Sequence, residues 1–297
     1  MPRDIAQLEE LSLPEMVPEI IDEIATIDTF SAAIYTRAIV TNRQSITVNR
    51  KVARGTAQWN TDRVCTVETS APSSDKSLYP LDLLTTAYDV CQPNADIYSG
   101  LIDVETTENI DATLRMIETM NNAIINGNGE NIDGLDSELA FQTIDQTADA
   151  GGEMLKAMDL AYLKATPKRD LVWVTSIEGT ANFLEEVRNS TLGGDSMVTL
   201  FGTTQTAPAY HGIPVTTSEW VPADTAYLVS LSQSGLNVYF GRANPRTVND
   251  YAIAGGLIGV RPGVRTAGSL VDETQLYTNA TAFYRNRQTG VKVINFG

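Results

Sequence analysis

The sequence has one histidine, two cysteines, few basic residues and no apolar run approaching the 18 or more residues of a membrane span. Each shortage excludes a class of function. A Ser/His/Asp arrangement must use His211, in YHGIPV, and no nucleophile motif surrounds it. Gly212 and Pro214 beside it point to a turn-facing ring with nothing in the sequence to orient it as a base or ligand. Cys65 and Cys91 lack metal-ligand spacing. Free thiols are expected in a reducing compartment, with a bridge left open. There is no GxxxxGK[ST] or GxGxxG phosphate loop, no internal repeat and no low-complexity tract. With 21 basic against 37 acidic residues, the net charge of −16 disfavours direct binding to nucleic acid or acidic membranes. The first residues are acidic and amphipathic rather than basic-then-apolar, so a cytosolic protein without a signal peptide is expected.

What is present is an ordinary globular composition, 42% hydrophobic and 20% charged, over a length suited to one large domain or two smaller ones. The most regular stretch is 106–135. Ile110, Leu114, Ile117, Met120 and Ile124 recur at three- and four-residue steps, which predicts one face of a long amphipathic helix. Glu108 and Asp111 favour its positive end, and Asn126-Gly127 tolerates the left-handed angles that end a helix. The oxygen-rich NGNGENIDGLDSE that follows fails the spacing of a calcium loop. Counted from Asn126, the sixth position is Asn131 rather than glycine, so the stretch reads as a cap followed by turns. Adjacent carboxylates such as Glu185 and Glu186 lie on a predicted helix surface and read as solvation.

The charge is unevenly distributed. Residues 1–30 carry Asp4, Glu9, Glu10, Glu15, Glu19, Asp22, Glu23 and Asp28 against Arg3 alone. Residues 37–63 reverse the sign, with Arg37, Arg43, Arg50, Lys51, Arg54 and Arg63 against Asp62. Two adjacent segments of opposite sign attract, within a chain or between copies of it.

Within 14–38, Met16, Val17, Ile20, Ile21, Ile24, Ile27 and Phe30 form an amphipathic helix or arm whose apolar stripe needs cover. SITVNRKVAR (45–54) and RVCTVET (63–69) flank the turn-rich GTAQWNTD and predict a long, polar β-hairpin. A lone two-stranded ribbon is marginal in water, so this one needs a partner surface. SAPSSDKS reads as a soft segment, LDLLTTAYDVC (81–91) as a strand and NADIYSGLID as a short helical stretch. GGEMLKAMDLAYLKA (151–165) predicts a helix with Leu155, Met158, Tyr162 and Leu163 as core candidates. DLVWVT (170–175) predicts a buried strand, and SIEGTANFLEEVRN a helix capped by Ser176. YHGIPVTTSEWVP, AYLVSLS and GLNVYFG complete an alternating α/β region over about 150–240. From Arg242 the chain turns to extended loops and strand ends, and it closes on two strands joined at Gln288–Gly290.

The order of these elements resembles the major capsid proteins of tailed bacteriophages, the HK97-like fold. Three local matches carry the resemblance. Ile125-Asn126-Gly127-Asn128-Gly129 with Gly134-Leu135 looks like the family's hydrophobic-Asn-Gly-Asp/Asn-Gly … Gly-Leu signature. VWVTSIEGTANFLEEVRNSTLGG (172–194) is similar to its apolar strand and short helix, and YHGIPVTTSEWVP (210–222) to its Gly-x-Pro-Val … Ser strand. GLNVYFGR (235–242) fits the strand that follows, and the resemblance covers nearly the whole chain.

The resemblance implies an α+β architecture. Its parts are an N-terminal arm (1–40), an extended hairpin loop (41–80), a peripheral domain with a spine helix (81–150), an axial domain (151–240) and return strands of the peripheral domain (241–297). It implies a non-enzymatic subunit without cofactor or metal that self-assembles into pentamers and hexamers of an icosahedral shell. That shell encloses double-stranded DNA without reading its sequence and works with a portal and possible scaffold and decoration proteins. The implied inter-subunit contacts are Glu15, Glu19, Asp22 and Glu23 of the arm with Arg43, Arg50, Lys51, Arg54, Trp59 and Arg63 of the loop. The arm begins almost at Met1, so a separate scaffold or none is expected. A cross-link from Lys51 to Asn244 or Asn249 has no motif behind it. An encapsulin-like compartment shares the fold, and an acidic α/β enzyme or binding domain is the rival from another class.

Overall fold

A computed structural model describes residues 30, 34, 37–53, 73–91, 104–189, 194–200, 203–243, 250–253, 257–263 and 271–297. The long helix is there, α1 at Val104–Asn126, and it lies between two sheets. The first sheet contains β1 (Ile39–Thr41), β4 (Asp82–Cys91), β11 (Leu236–Gly241), β12 (Tyr251–Ile253), β13 (Ile258–Arg261) and β14 (Val271–Tyr284). β14 is its hub, pairing antiparallel with β4, β11 and β13.

The second sheet runs β5 (Thr143–Asp145), β15 (Val291–Ile294), β10 (Thr225–Ser230), β6 (Leu171–Thr175), β9 (Ile213–Thr217), β8 (Thr203–Tyr210) and β7 (Gly194–Leu200). Because side chains alternate along a strand, its central strands feed two cores. Val172, Val174, Tyr227 and Val229 join the core shared with the end of α1. Leu171, Trp173, Ala226 and Leu228 join the core under α4 (Met154–Lys164) and α5 (Ile177–Asn189). Ser176 Oγ accepts the Gly179 amide at 2.9 Å and caps α5. The short α2 (Gly134–Glu138) follows α1, and α3 (Gln146–Ala150) is capped by Asp145, whose carboxylate accepts the Thr147 and Ala148 amides. Phe30 and Ile34 are helical and buried in the core at the end of α1. No helix among the described residues is long and apolar enough to cross a membrane.

Four sequence expectations are corrected. The buried face of α1 is Ala112, Met116, Met120, Ala123 and Ile124, while Ile110 is 56% exposed and Leu114 and Ile117 are half-buried. Small Ala112 and pliant Met116 let the helix lie close on the sheet, and a pattern of large aliphatics points past them. In α4, Leu163 is 67% exposed and its place in the core is taken by Ala157 and Ala161. The hairpin strand β2 (Ser45–Ala53) pairs with β3 (Ser73–Pro80), the segment that reads as soft; residues 63–69 lie outside the described residues. Lastly, β14 and β15 are consecutive but sit in different sheets, with a 3₁₀ turn at Arg287–Thr289 between them.

The Asn/Gly cluster is a closed structural loop. The Gly127 amide donates to Ala123 O at 2.9 Å with φ at 86°. Asn128 Oδ1 accepts from the amides of Glu130, Asn131 and Ile132. The side-chain amides of Asn128 and Asn131 then donate to the two carboxylate oxygens of Asp82, at 2.7 and 2.6 Å. The cluster thus ends α1 and ties it to the start of β4.

Candidate assembly surfaces

β2 and β3 form a sheet of their own, separate from both larger sheets. Its base is closed by the Leu81 amide donating to Gln44 O at 3.0 Å. One face is anchored at the root: Val48 and Tyr79 are buried against Phe283, with Ile46 and Tyr239 alongside. The Tyr79 and Phe283 rings stack at 4.4 Å, and Tyr239 extends the stack at 5.5 Å. Tyr79 Oη reaches Glu138 Oε1 at 3.5 Å. Glu138, nearly fully buried, is paired with Arg287. Burial works to lower the Arg287 pKa, and the Glu138 carboxylate outweighs it and holds the guanidinium charged. The opposite face is bare, with Leu78 63% exposed.

The first large sheet also has one covered face. Tyr88, Val90 and Leu276 point toward Ala112 and Met116 of α1. The alternate residues Leu83, Thr85 and Ala87 point away from it. On that outer face, beside the hairpin root, lies an open groove of about 970 Å³. Among the described residues, Arg43, Arg242 and Arg261 line it and no Asp or Glu does. Three distant segments converge here: β1 pairs parallel with β11, continuing into the Arg242 amide donating to Thr41 O at 3.0 Å, and β13 brings in Arg261 by pairing with β14. Arg261 sits 3.8 Å from the buried Asp250 carboxylate. Among the described residues no carboxylate is paired with Arg43 or Arg242.

Of the sequence-derived contact residues, Arg43 is in this groove. Arg50 and Lys51 are placed by backbone on β2, opposite Asp75 and Ser74 of β3. Glu15, Glu19, Asp22, Glu23, Arg54, Trp59 and Arg63 lie outside the described residues, as do Asn244, Asn249 and Cys65. Sequence reasoning missed Arg242, Arg261 and the hairpin root, since nothing local marks residues that meet only through strand pairing. It also left His211 without an orienting group. His211 and Gly212, at φ 54° and 72°, make the tight β8–β9 turn. There Nε2 lies 2.7 Å from Asp159 Oδ1, which also accepts from Tyr210 Oη at 2.8 Å. The Tyr162 ring stacks on the imidazole at 5.2 Å. Burial first, then Asp159, pushes the Tyr210 phenol well above its ordinary value, so its hydroxyl keeps its proton and clasps the turn to α4.

No family model and no curated protein matches the chain. Solved structures do. An encapsulin from Synechococcus elongatus PCC 7942, the holo-SrpI complex, superposes with a TM-score of 0.71 at 16% identity, over 99% of this chain and 96% of that one. The capsid of cyanophage A-1(L) gives 0.67 at 14% identity, over 97% and 99%. The capsid of a native GTA particle gives 0.61 at 14% identity, over 96% and 97%. Covering both partners almost end to end, these similarities identify the chain as having the HK97-like fold of capsid and encapsulin shell proteins.

Proposed function

We propose that this chain is the repeating subunit of a closed icosahedral shell, and within that class the major capsid protein of a tailed-bacteriophage head that encloses double-stranded DNA. The observation that supports it most is the hairpin, held to its own body at one face of its root and bare on the other. A two-stranded ribbon needs a further surface, and in a chain matched end to end by shell proteins that surface is a neighbouring copy. The parts are then an arm (1–40), a hairpin loop (41–80), a peripheral unit with α1 (81–150), an axial unit (151–240) and return strands (241–297), with β5 and β15 completing the axial sheet. Its work is assembly, by heterologous contacts that close into rings of five and six. Contacts between the acidic arm and the basic loop are part of this reading, as are a portal and scaffold or decoration proteins. Location in the virion, after assembly in the host cytoplasm, belongs to it too. No catalytic group, cofactor or metal is assigned. A net charge of −16 suits a lining that does not grip phosphate and lets packaged DNA slide.

The superposition on the encapsulin favours a second reading, a compartment for protein cargo. Electron microscopy of purified particles with a nuclease-protection assay decides between them. Shells holding protected double-stranded DNA support the phage head, and shells holding protein without DNA support the compartment. A monomer at high concentration, with no particles, overturns both.

A further inference from the structure

The segment that closes α1 holds two Asn-Gly pairs, Asn126-Gly127 and Asn128-Gly129. Glycine carries no Cβ, so its amide nitrogen can turn back onto the side-chain carbonyl carbon of the asparagine before it. The structure separates the two pairs. Asn126 is the last residue of α1, and the Gly127 amide donates to Ala123 O at 2.9 Å. A Cβ on Gly127 would stand 2.9 Å from Ile132 O, so that peptide is boxed in by backbone. Asn128 and Gly129 are both exposed, and nothing lies within 4 Å of the Gly129 Cβ position. Among the described residues, no group accepts the Gly129 amide hydrogen.

The two ends of the Asn128 amide meet opposite influences. Its Oδ1 accepts the amides of Glu130, Asn131 and Ile132, at 2.9, 3.1 and 3.0 Å. Attack on Cγ moves negative charge onto that oxygen, and three donors already aimed at it stabilise the charge as an oxyanion hole does. On the other side, Nδ2 donates to Asp82 Oδ2 at 2.7 Å. A hydrogen bond to a carboxylate is a strong one and holds the intact amide in its rotamer. The oxygen side favours reaction; the Asp82 side restrains it.

We propose that Asn128 is a site of spontaneous deamidation by water, restrained by Asp82. The Gly129 amide yields its proton to hydroxide, and its nitrogen bonds to Asn128 Cγ. The Cγ–Nδ2 bond breaks, and ammonia leaves with a proton taken from water, which regenerates the hydroxide. A second water then opens the five-membered imide to aspartate or isoaspartate. The sum is amide plus water to carboxylic acid plus ammonia, with no change of oxidation state. The product sets a carboxylate where a donor to Asp82 stood, and like charges so close repel. Asn131, at 2.6 Å, is then the remaining side-chain tie from this loop to Asp82. Asp82 opens β4, which follows β3 after Leu81 alone, so the change loosens the hairpin root from the end of α1. The site belongs to the single chain and stands whether or not the chain builds a shell.

The purified chain, incubated native and in urea in mildly alkaline heavy-oxygen water and mapped by peptide mass spectrometry, tests it. In urea both pairs should convert at similar rates. In the native chain Asn128 should convert roughly tenfold or more faster than Asn126 and take heavy oxygen into its new carboxylate. Equal native rates, a faster Asn126, or an intact Asn128 while the urea sample converts overturns the proposal. Asp82→Ala should raise the native rate at Asn128 roughly tenfold and leave Asn126 slow. A rate that does not rise, or that rises only in step with Asn126, overturns the restraint by Asp82. Gly129→Ala, which has room for its Cβ, should slow conversion at Asn128. An unchanged rate there overturns attack by the Gly129 nitrogen.

Discussion

Asp82 receives the side-chain amides of both Asn128 and Asn131, and through them one carboxylate holds the end of α1 to β4. Around it, glycine is required by space as well as by angle. At Gly134, φ is 71° and an added Cβ would stand 2.3 Å from the Gly127 nitrogen. At Gly129 the angle is similar, 76°, but nothing lies within 4 Å. Gly129→Ala should therefore cost only the left-handed conformation, about 1–2 kcal/mol. Gly134→Ala should cost clearly more, since backbone must move; urea unfolding of the two variants measures the difference. Asn128→Ala strips an acceptor from three amides and should cost about 1–3 kcal/mol.

Acid stability has an equally local origin. Burial works to raise the Asp136 carboxyl, but hydrogen bonds from Lys292 and Tyr227 and the lysine charge hold it below the ordinary value. Asp145 is also held low, by Asn295 and by the amides it caps. A carboxyl with a depressed folded pKa stabilises fully above its unfolded value, about 3.9. That contribution is lost as pH falls through the lower folded value. The fall in melting temperature below about pH 4 should thus be shallower in Asp136→Asn than in the unmodified chain. Parallel curves would remove Asp136 from the account.

Among the elements, α1 separates what the sequence shows from what it hides. Its existence, its end at Asn126-Gly127 and the apolar strand β6 were legible, because helical periodicity and a fully apolar run are local signals. Its buried face was not. The rotation toward Ala112 and Met116 is set by the sheet it packs on, which the helix sequence does not contain. Ile110→Asp should then change monomer stability by no more than about 0.5 kcal/mol, whereas Met116→Ala should cost about 2–5 kcal/mol. Equal costs would restore the Ile110 face. β3 was hidden for the complementary reason. SSDKSLYP is polar enough to read as loop, and it becomes a strand by pairing with β2 and seating Tyr79 on Phe283. A double-mutant cycle between Tyr79→Leu and Phe283→Leu should return a coupling of about 0.5–1.5 kcal/mol. The groove arginines were illegible for the same reason, being residues of three segments brought together by the pairing of β1 with β11 and of β13 with β14.

For the whole molecule the question is which exposed features act between copies rather than within one. The hairpin backbone places Arg50 and Lys51 on β2, beyond the anchored root at Val48 and Tyr79, and Arg54 follows in sequence. Reversing all three charges leaves every described core cluster untouched. Charge changes that touch none of those clusters shift folding stability by no more than about 0.5 kcal/mol each. In the proposed shell the same reversal would be multiplied around every ring, and like charges facing each other across an interface oppose association. Arg50→Glu, Lys51→Glu and Arg54→Glu together should give a chain with an unchanged thermal midpoint that sediments as free subunits or small oligomers. Lowering the ionic strength should deepen the defect, because repulsion is less screened. Normal shells from the triple variant would exclude the hairpin charges from assembly and leave the bare Leu78 face as the hairpin's contact. An altered midpoint would instead tie these charges to the subunit's own fold.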